Sequence, residues 1–446
     1  VGSPQISVRN SVSGNIYKTA PQRKHRDTRG HTPTRPLVYL FAEDESMKSI
    51  RELHKIGHGP SSSHTMGPQK AAAYFADKHP DADHFSVVLY GSLAKTGRGH
   101  CTDTVILDTF APRKCEILWM PEPDFPLPHE NTMDLCAYTA DGAELERIRV
   151  QSVGGGEIRI EGMPELDAPE IYRENSYTEI AEYCKDRNMR LSAYVYAHED
   201  ADFRGFLEKI WLVMNEAIDV GLQKRGTLPG GLGVERKAQY LYNQRHIDES
   251  PNTRENRIVC AYAFAGSEQN ADGGVIVTAP TCGACSVVPS VLRYFREQKG
   301  FPLNKILDAL AVGGLVGNIV KENASISGAA CGCQAEIGTA CSMAAAALCE
   351  LHEMSIDQIE YAAEVALEHH LGLTCDPICG LVQIPCIERN AVAAMRAINA
   401  LSLSNFLSET RKISFDMVVK TMYETGRDIN ARYRETSAGG LAKLEL

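Results

Sequence analysis

Residues 322–354 read ENASISGAACGCQAEIGTACSMAAAALCELHEM. From Ile337 to Leu351 this is the most apolar run in the chain, built from Ala, Gly, Ser and Cys. It is too short and too weakly apolar to span a bilayer, so it reads as a closely packed buried helix. The first half cannot continue such a helix. It is polar and glycine-rich, and it carries Cys331 and Cys333. Breaks of this kind inside a helical domain cost stability, so a functional use is the economical reading. Two more follow the same pattern: GVIVTAPTCGACSVVP (274–289) and LTCDPICG (373–380). Around them, FLEKIWLVMNEAIDVGLQK (206–224), PSVLRYFREQ (289–298), LNKILDALAVGGLVGNIV (303–320), AAAALCELHEM (344–354) and DQIEYAAEVALEHH (357–370) have helical periodicity. Residues 176–446 are therefore expected to form an all-α domain.

The texture before residue 176 is different. FSVVLYGS (85–92), DTVILDTF (103–110), CEILWM (115–120), ELERIRVQSV (144–153) and GEIRIEG (156–162) are short, β-branched or aromatic, and bounded by turn formers. They predict strands, with the proline-rich PEPDFPLPHENT (121–132) as a loop. Residues 47–175 thus read as an α+β domain. Up to Ala42 the chain carries seven Lys/Arg, one acid (Asp27) and many Ser, Thr, Pro and Gly. Residues 1–46 are expected to be a disordered extension rather than a targeting peptide.

Bulk composition narrows the partners. A net charge of −11 over 446 residues argues against nucleic acid, which needs a basic face. No membrane partner is expected. Of fourteen cysteines, four precede Cys260 and ten run from Cys260 to Cys386. A small secreted disulfide scaffold would be much shorter, and no secretory signal is visible. A reducing cytoplasm is the expected setting, where clustered cysteines more often mean metal or catalysis.

The candidate ligands lie in three segments: Cys282 and Cys285 in TCGAC; Cys331, Cys333 and Cys341 in ACGCQAEIGTAC; Cys375, Cys379 and Cys386 in LTCDPICGLVQIPCIERN. Zinc sites favour two close pairs, and only Cys282/Cys285 forms one cleanly, with Cys375/Cys379 at the loose end. The ferredoxin run C-x₂-C-x₂-C is missing. At this level a metal or cluster site, a catalytic thiol and inert buried cysteines all remain open.

Longer motifs decide further. GHGPSSSHTMGP (57–68), LYGSLAKTGRGHCTDT (89–104), TAPTCGACSVVPSVL (278–292), SISGAACGCQAEIGTACSMAAAA (325–347) and EHHLGLTCDPICGLVQIPCIERNAVA (368–393) strongly resemble the iron–sulfur L-serine dehydratases (L-serine ammonia-lyases). The resemblance runs from Met47 to about residue 410, with both family domains fused in one chain. It implies a 4Fe–4S cluster held by three cysteines in the GCQ, LTCDP and PCIERN motifs, which are Cys333, Cys375 and Cys386 here. Cys282, Cys331 and Cys379 are then packing thiols, with Pro377 and Pro385 holding the loop out of helix. No cysteine follows Cys386, so the fourth iron is expected to stay open for substrate or water.

Serine dehydration needs a Lewis acid for the hydroxyl, a base for the Cα proton, and anchors for the carboxylate and ammonium. The resemblance also places three histidines in motifs of the first domain, His64 in SSSHT, His100 in GRGHCTD and His129 in LPHENT, and histidine suits acid–base work near neutrality. His100 is expected to be the base, with His64 and His129 orienting substrate or shuttling protons. Ser62, Ser63 and Thr65 can donate to a carboxylate. Thr281, Asn323, Ser325 and Ser327, beside cysteine motifs, are further lining candidates, and His369 is a candidate neighbour of the cluster. L-Serine is the expected substrate and a homodimer the expected assembly. Competing readings are a lyase of the same fold acting on L-threonine or L-cysteine, and a non-catalytic iron–sulfur redox sensor.

Overall fold

The change of texture along the sequence is also a change of architecture. The computed structural model describes residues 46–163, 168–244, 249–435 and 439–444. A strand-rich α+β portion comes first and an almost wholly helical portion follows. The disorder expected for residues 1–46 falls outside the described residues except for Ser46. The described residues belong to one compact unit.

Five strands form the main sheet: β1 (His84–Tyr90), β2 (Lys114–Met120), β3 (Thr132–Tyr138), β4 (Glu144–Gly154) and β5 (Glu157–Ile160), in the order β2-β1-β3-β4-β5. Its core includes Val87, Leu89 and Leu135 from the strands. Phe75 comes from α1 (Gly67–Lys78) and Phe110 from α2 (Thr102–Phe110). The Phe85 and Phe110 rings stack with centroids 4.1 Å apart.

The segment DTVILDTF corrects the sequence reading. It was expected as a strand and is the helix α2. Its buried residues, Thr102, Ile106 and Phe110, recur every four positions, a helical period. Topology requires the same answer, because β1 and β2 are parallel and the chain between them must cross over. β3 was not foreseen. Six of its seven residues are buried, so both faces are covered and the alternation that marks a half-exposed strand is lost.

The helical portion is built on α3 (Phe203–Gln223), α4 (Pro251–Ala271), α5 (Val287–Gln298), α6 (Leu303–Asn323), α7 (Thr339–Leu351), α8 (Ile356–Glu368), α9 (Cys386–Leu407) and α10 (Phe415–Asp428). All thirteen residues of α7 are buried, with α5, α6, α8 and α9 packed around it. Small residues make this possible: a Cβ on Gly313 of α6 would lie 2.9 Å from the Met343 carbonyl oxygen. The helix α6 is long and apolar enough to cross a membrane by composition, but it is mostly buried in this core. Ile50 and Leu53 also reach into the helical core, where Gly314 and Gly317 leave room for them. The short strand Ile56–His58 then pairs with Val275–Val277 and leads the chain into the Ser62–Met66 turn.

Candidate active site

Two π-helical turns start the construction. Ser62–Met66 runs into α1 and carries His64. Gln334–Gly338 runs into α7 and carries Glu336, directly after Cys333. Such turns bulge a side chain out of the regular helical register and recur at functional sites. Cys386 is the first residue of α9, with Pro385 as its cap. Cys375 lies on an isolated bridge: its N–H donates to the Tyr433 carbonyl, and its own carbonyl accepts from the N–H of Glu435.

Cross-ties lock these segments together. Gln334 Nε2 donates to the Cys331 carbonyl, while its Oε1 accepts from the N–H of Gly372 and the hydroxyl of Thr425. Asn390 Nδ2 donates to the carbonyls of Gly283 and Cys386, and its Oδ1 accepts from the Ser286 N–H. Asp376 accepts from the N–H of Leu441, which pins the C-terminal segment beside Cys375.

The result is a small void of about 20 Å³ whose wall includes Ser61, His100, Gly283, Cys333, Glu336, Cys375, Cys386 and Glu435. Donor atoms of Cys333, Glu336 and Cys375 all lie within 4.8 Å of one another. Glu336 Oε2 is 3.7 Å from the Cys333 sulfur and 4.0 Å from the Cys375 sulfur, while Oε1 accepts from the Thr281 hydroxyl at 2.8 Å. Acids crowd this void. A thiol–thiol hydrogen bond to Cys333, together with burial, pushes the Cys375 thiol well up. Burial and Cys333 do the same to Cys386, and burial raises the carboxyls of Glu336 and Glu435. Arg389 is the cation that answers them. It is largely desolvated, and it donates to the Thr374 carbonyl at 2.7 Å.

Across the void stand the histidines of the strand-rich portion. The His64 and His100 rings are tilted with centroids 4.5 Å apart. Their backbones are cross-latched: Thr65 donates to the His100 carbonyl and Thr102 to the His64 carbonyl. His100 Nδ1 is 3.1 Å from the Thr96 carbonyl, which can only accept, so Nδ1 carries the proton and Nε2 is bare. Burial lowers the His100 pKa to about 4 and the His64 pKa well below its usual value, so both rings are neutral at pH 7.

The expected residues divide as follows. Cys333, Cys375, Cys386 and His100 meet at the void, and His64 stands directly behind it. Ser62 and Ser63 are buried on the π-turn. His129 is half-buried near His64, and its Nδ1 accepts from the Asn131 N–H. Thr281 is committed to Glu336. Thr65 is not free for a substrate carboxylate, because its hydroxyl latches His100 and accepts from the Ser61 N–H. Asn323 donates to the carbonyls of Asn175 and Ile319, and Ser325 accepts from the Ser327 N–H; neither lines the void. Ser327 is buried with no hydrogen-bond partner for its hydroxyl among the described residues. His369 is exposed, because the turn after α8 directs it outward, so it is no neighbour of the thiols. Cys379 is exposed too, and Cys282 packs against Met66.

Sequence reasoning missed Glu336, Arg389 and Glu435. Glu336 and Arg389 each follow a proposed ligand by three positions, at Cys333 and Cys386, a spacing that shares a helical face and was available as a signal. Glu435 lies beyond the stretch that carried the resemblance, and nothing local marks it. A larger cleft of about 360 Å³, lined by Lys48, Lys70, Glu157 and Lys321 among others, shares no residue with this void. Its Lys321 is paired with Glu157 at 2.9 Å.

Neutral histidines thus face a buried set of thiols and carboxyls with a guanidinium beside them, and donor atoms of Cys333, Glu336 and Cys375 lie close enough together to hold a metal ion. A family model for the serine dehydratase alpha chain matches residues 141–442, and one for the beta chain matches residues 49–120. The chain is 38% identical to an L-serine dehydratase of Haemophilus influenzae, over 89% of this chain and 99% of that one. L-Serine dehydratase 1 of Escherichia coli is 40% identical over 89% and 99%, and an L-serine dehydratase of Helicobacter pylori 37% over 89% and 98%. The chain belongs to the serine dehydratase family, with alpha and beta portions fused. The alpha-chain match extends past residue 410 and takes in Glu435.

Proposed function

We propose that this chain is an L-serine ammonia-lyase, converting L-serine to pyruvate and ammonia with a 4Fe–4S cluster held by Cys333, Cys375 and Cys386. The observation that carries the reading is the convergence of three buried thiols and His100 on one void, in a chain of this family. The two portions, 47–175 and 176–446, act in this reading as domains with the site between them.

The donor set suits such a group. Three thiols and two carboxyls share a buried space with one guanidinium, a surplus of acids that a cationic group relieves. Gly328 lets two of these donors come close to the backbone: a Cβ there would lie 2.6 Å from Glu336 Oε2 and 3.2 Å from the Cys375 sulfur. The void has about the space of one water, so a group larger than a single ion must part these side chains.

When bound, the cluster would supply a Lewis acid for the departing hydroxyl of serine. The remaining work belongs to the protein. His100 takes the Cα proton at Nε2, the nitrogen left bare by the Thr96 carbonyl. His64 and His129 orient the substrate, and Ser62 and Ser63 offer hydroxyls to its carboxylate. The enclosed void excludes bulk water while the C–O bond breaks. Loss of water gives an enamine, which tautomerises and is hydrolysed to pyruvate and ammonia.

The test is pyruvate formation from L-serine by protein purified without oxygen. Pyruvate formation by iron-loaded protein supports the reading, and iron-loaded protein without it contradicts the reading. L-Threonine and L-cysteine belong in the same assay, since a methyl group is worth only about 1–3 kcal/mol in a pocket. The close approach of Cys333, Glu336 and Cys375 favours one other reading, a single metal ion on those three donors. Acid-labile sulfide distinguishes them, being present with a cluster and missing with a lone ion.

A further inference from the structure

Beside the thiols, two ring nitrogens and one carboxyl oxygen face one another at 3.5–3.7 Å, too far apart to satisfy the nitrogens. His100 Nε2 is bare, as argued above. Ser92 gives its hydroxyl proton to the Glu435 carbonyl, so it accepts from His64 Nε2 at 3.0 Å and leaves His64 Nδ1 bare. Both bare nitrogens turn to Oε1 of Glu435, at 3.5 Å from His64 and 3.7 Å from His100. Neither nitrogen has a hydrogen-bond partner among the described residues, and both rings are fully buried. Buried acceptors without a donor are costly, so this arrangement suits a donor that arrives from outside.

An α-amino acid brings such a donor. Its ammonium group carries N–H bonds for the bare His64 nitrogen and a positive charge that favours the ionised form of the Glu435 carboxyl beside it, two groups whose donor atoms lie within 4.8 Å of one another. Resting on the serine reading, we propose that Glu435 and His64 anchor the ammonium group of the amino-acid substrate, and that this pair excludes acids lacking an amino group. The placement of the reacting carbon follows. Cα is bonded to the ammonium nitrogen, so a substrate held at Oε1 brings Cα beside His100 Nε2, which stays free for the Cα proton. Glu435 is fixed from behind by its N–H to the Cys375 carbonyl at 2.6 Å and its carbonyl to Ser92 at 2.9 Å. Its φ of +58° is a left-handed conformation that a glutamate rarely adopts, and such strain collects where a side chain must be aimed.

L-Alanine and propanoate differ by the ammonium group and lack the hydroxyl, so both can be titrated without turnover. Ligand-detected NMR on oxygen-free protein is expected to show wild type binding L-alanine roughly tenfold to a hundredfold more tightly than propanoate, the size of a charged hydrogen bond. In Glu435→Gln the two should bind within about threefold of each other, with propanoate unchanged. A preference for L-alanine that survives in Glu435→Gln overturns the proposal, and so does a wild type with no preference. If Glu435→Gln loses both ligands, Glu435→Asp decides: it keeps the charge and must recover preferential L-alanine binding, or the proposal fails. Wild type that shows the preference but makes no pyruvate from L-serine would break the lyase reading alone.

Discussion

Cys341 and Cys349 are as deeply buried as Cys333 and Cys375, yet they occupy a different kind of place. The first two lie inside α7, a continuous helix. Cys341 gives its S–H to the Ala393 carbonyl and Cys349 shares a proton with the Ser404 hydroxyl, so each behaves as a small hydrophobe with a weak donor. The other two lie where helices stop, at the edge of a π-turn and on a two-residue bridge, in the company of other acids. Burial alone does not tell these two pairs apart. Backbone position and neighbouring acids do, and they are what set Cys333 and Cys375 apart as the proposed ligands.

The comparison can be broken most forcefully at the thiols. Replacing Cys333, Cys375 or Cys386 by Ser should lower bound iron by more than about tenfold, measured by metal analysis of oxygen-free protein. Cys341→Ser should keep its iron. Equal losses in both groups would erase the distinction. Gly328→Ala places a methyl group against Glu336 and Cys375, so turnover should fall about tenfold or more while the melting temperature stays close to wild type.

The α7 side also makes a pH prediction. His370 packs against Gly338, just before α7, with Nδ1 donating to the Ala366 carbonyl. Burial lowers its pKa to about 4. The unfolded chain takes up a proton below about pH 6.5, which the folded chain resists until about 4, so stability is lost as pH falls through this window. The contribution is about 3 kcal/mol, and His370→Asn should flatten that part of the denaturant-midpoint profile between pH 6.5 and 4. Smaller again, Cys349→Ala should cost about 1 kcal/mol by chemical denaturation, through lost packing. The smallest effect belongs to Cys379→Ser. It should change neither iron content nor turnover, and stability by under about 0.5 kcal/mol, because Cys379 is exposed and off the void wall.

Much of this was legible in the residues. The small-residue run of α7 and the helical periods foretold the helical portion, and the glycine-rich breaks foretold where its helices are interrupted. The thiols Cys333, Cys375 and Cys386 came from motif likeness, and their convergence is a tertiary fact. α2 misread as a strand because Thr, Val and Ile are β-formers, and the parallel pairing that demands a crossover cannot be seen locally. Thr65 looked like a substrate donor, but its partner is the carbonyl of His100, thirty-five residues away. Glu435 was invisible for the same reason. Its place beside two histidines goes with the bridge between Cys375 and Arg434, in which the Glu435 N–H donates to the Cys375 carbonyl.

The most direct test is iron and acid-labile sulfide per chain in protein prepared without oxygen, for wild type, Cys375→Ser and Cys341→Ser side by side. The account predicts about four of each in wild type and in Cys341→Ser, and a loss of both in Cys375→Ser. One iron without sulfide in wild type, or a full complement in Cys375→Ser, would contradict it.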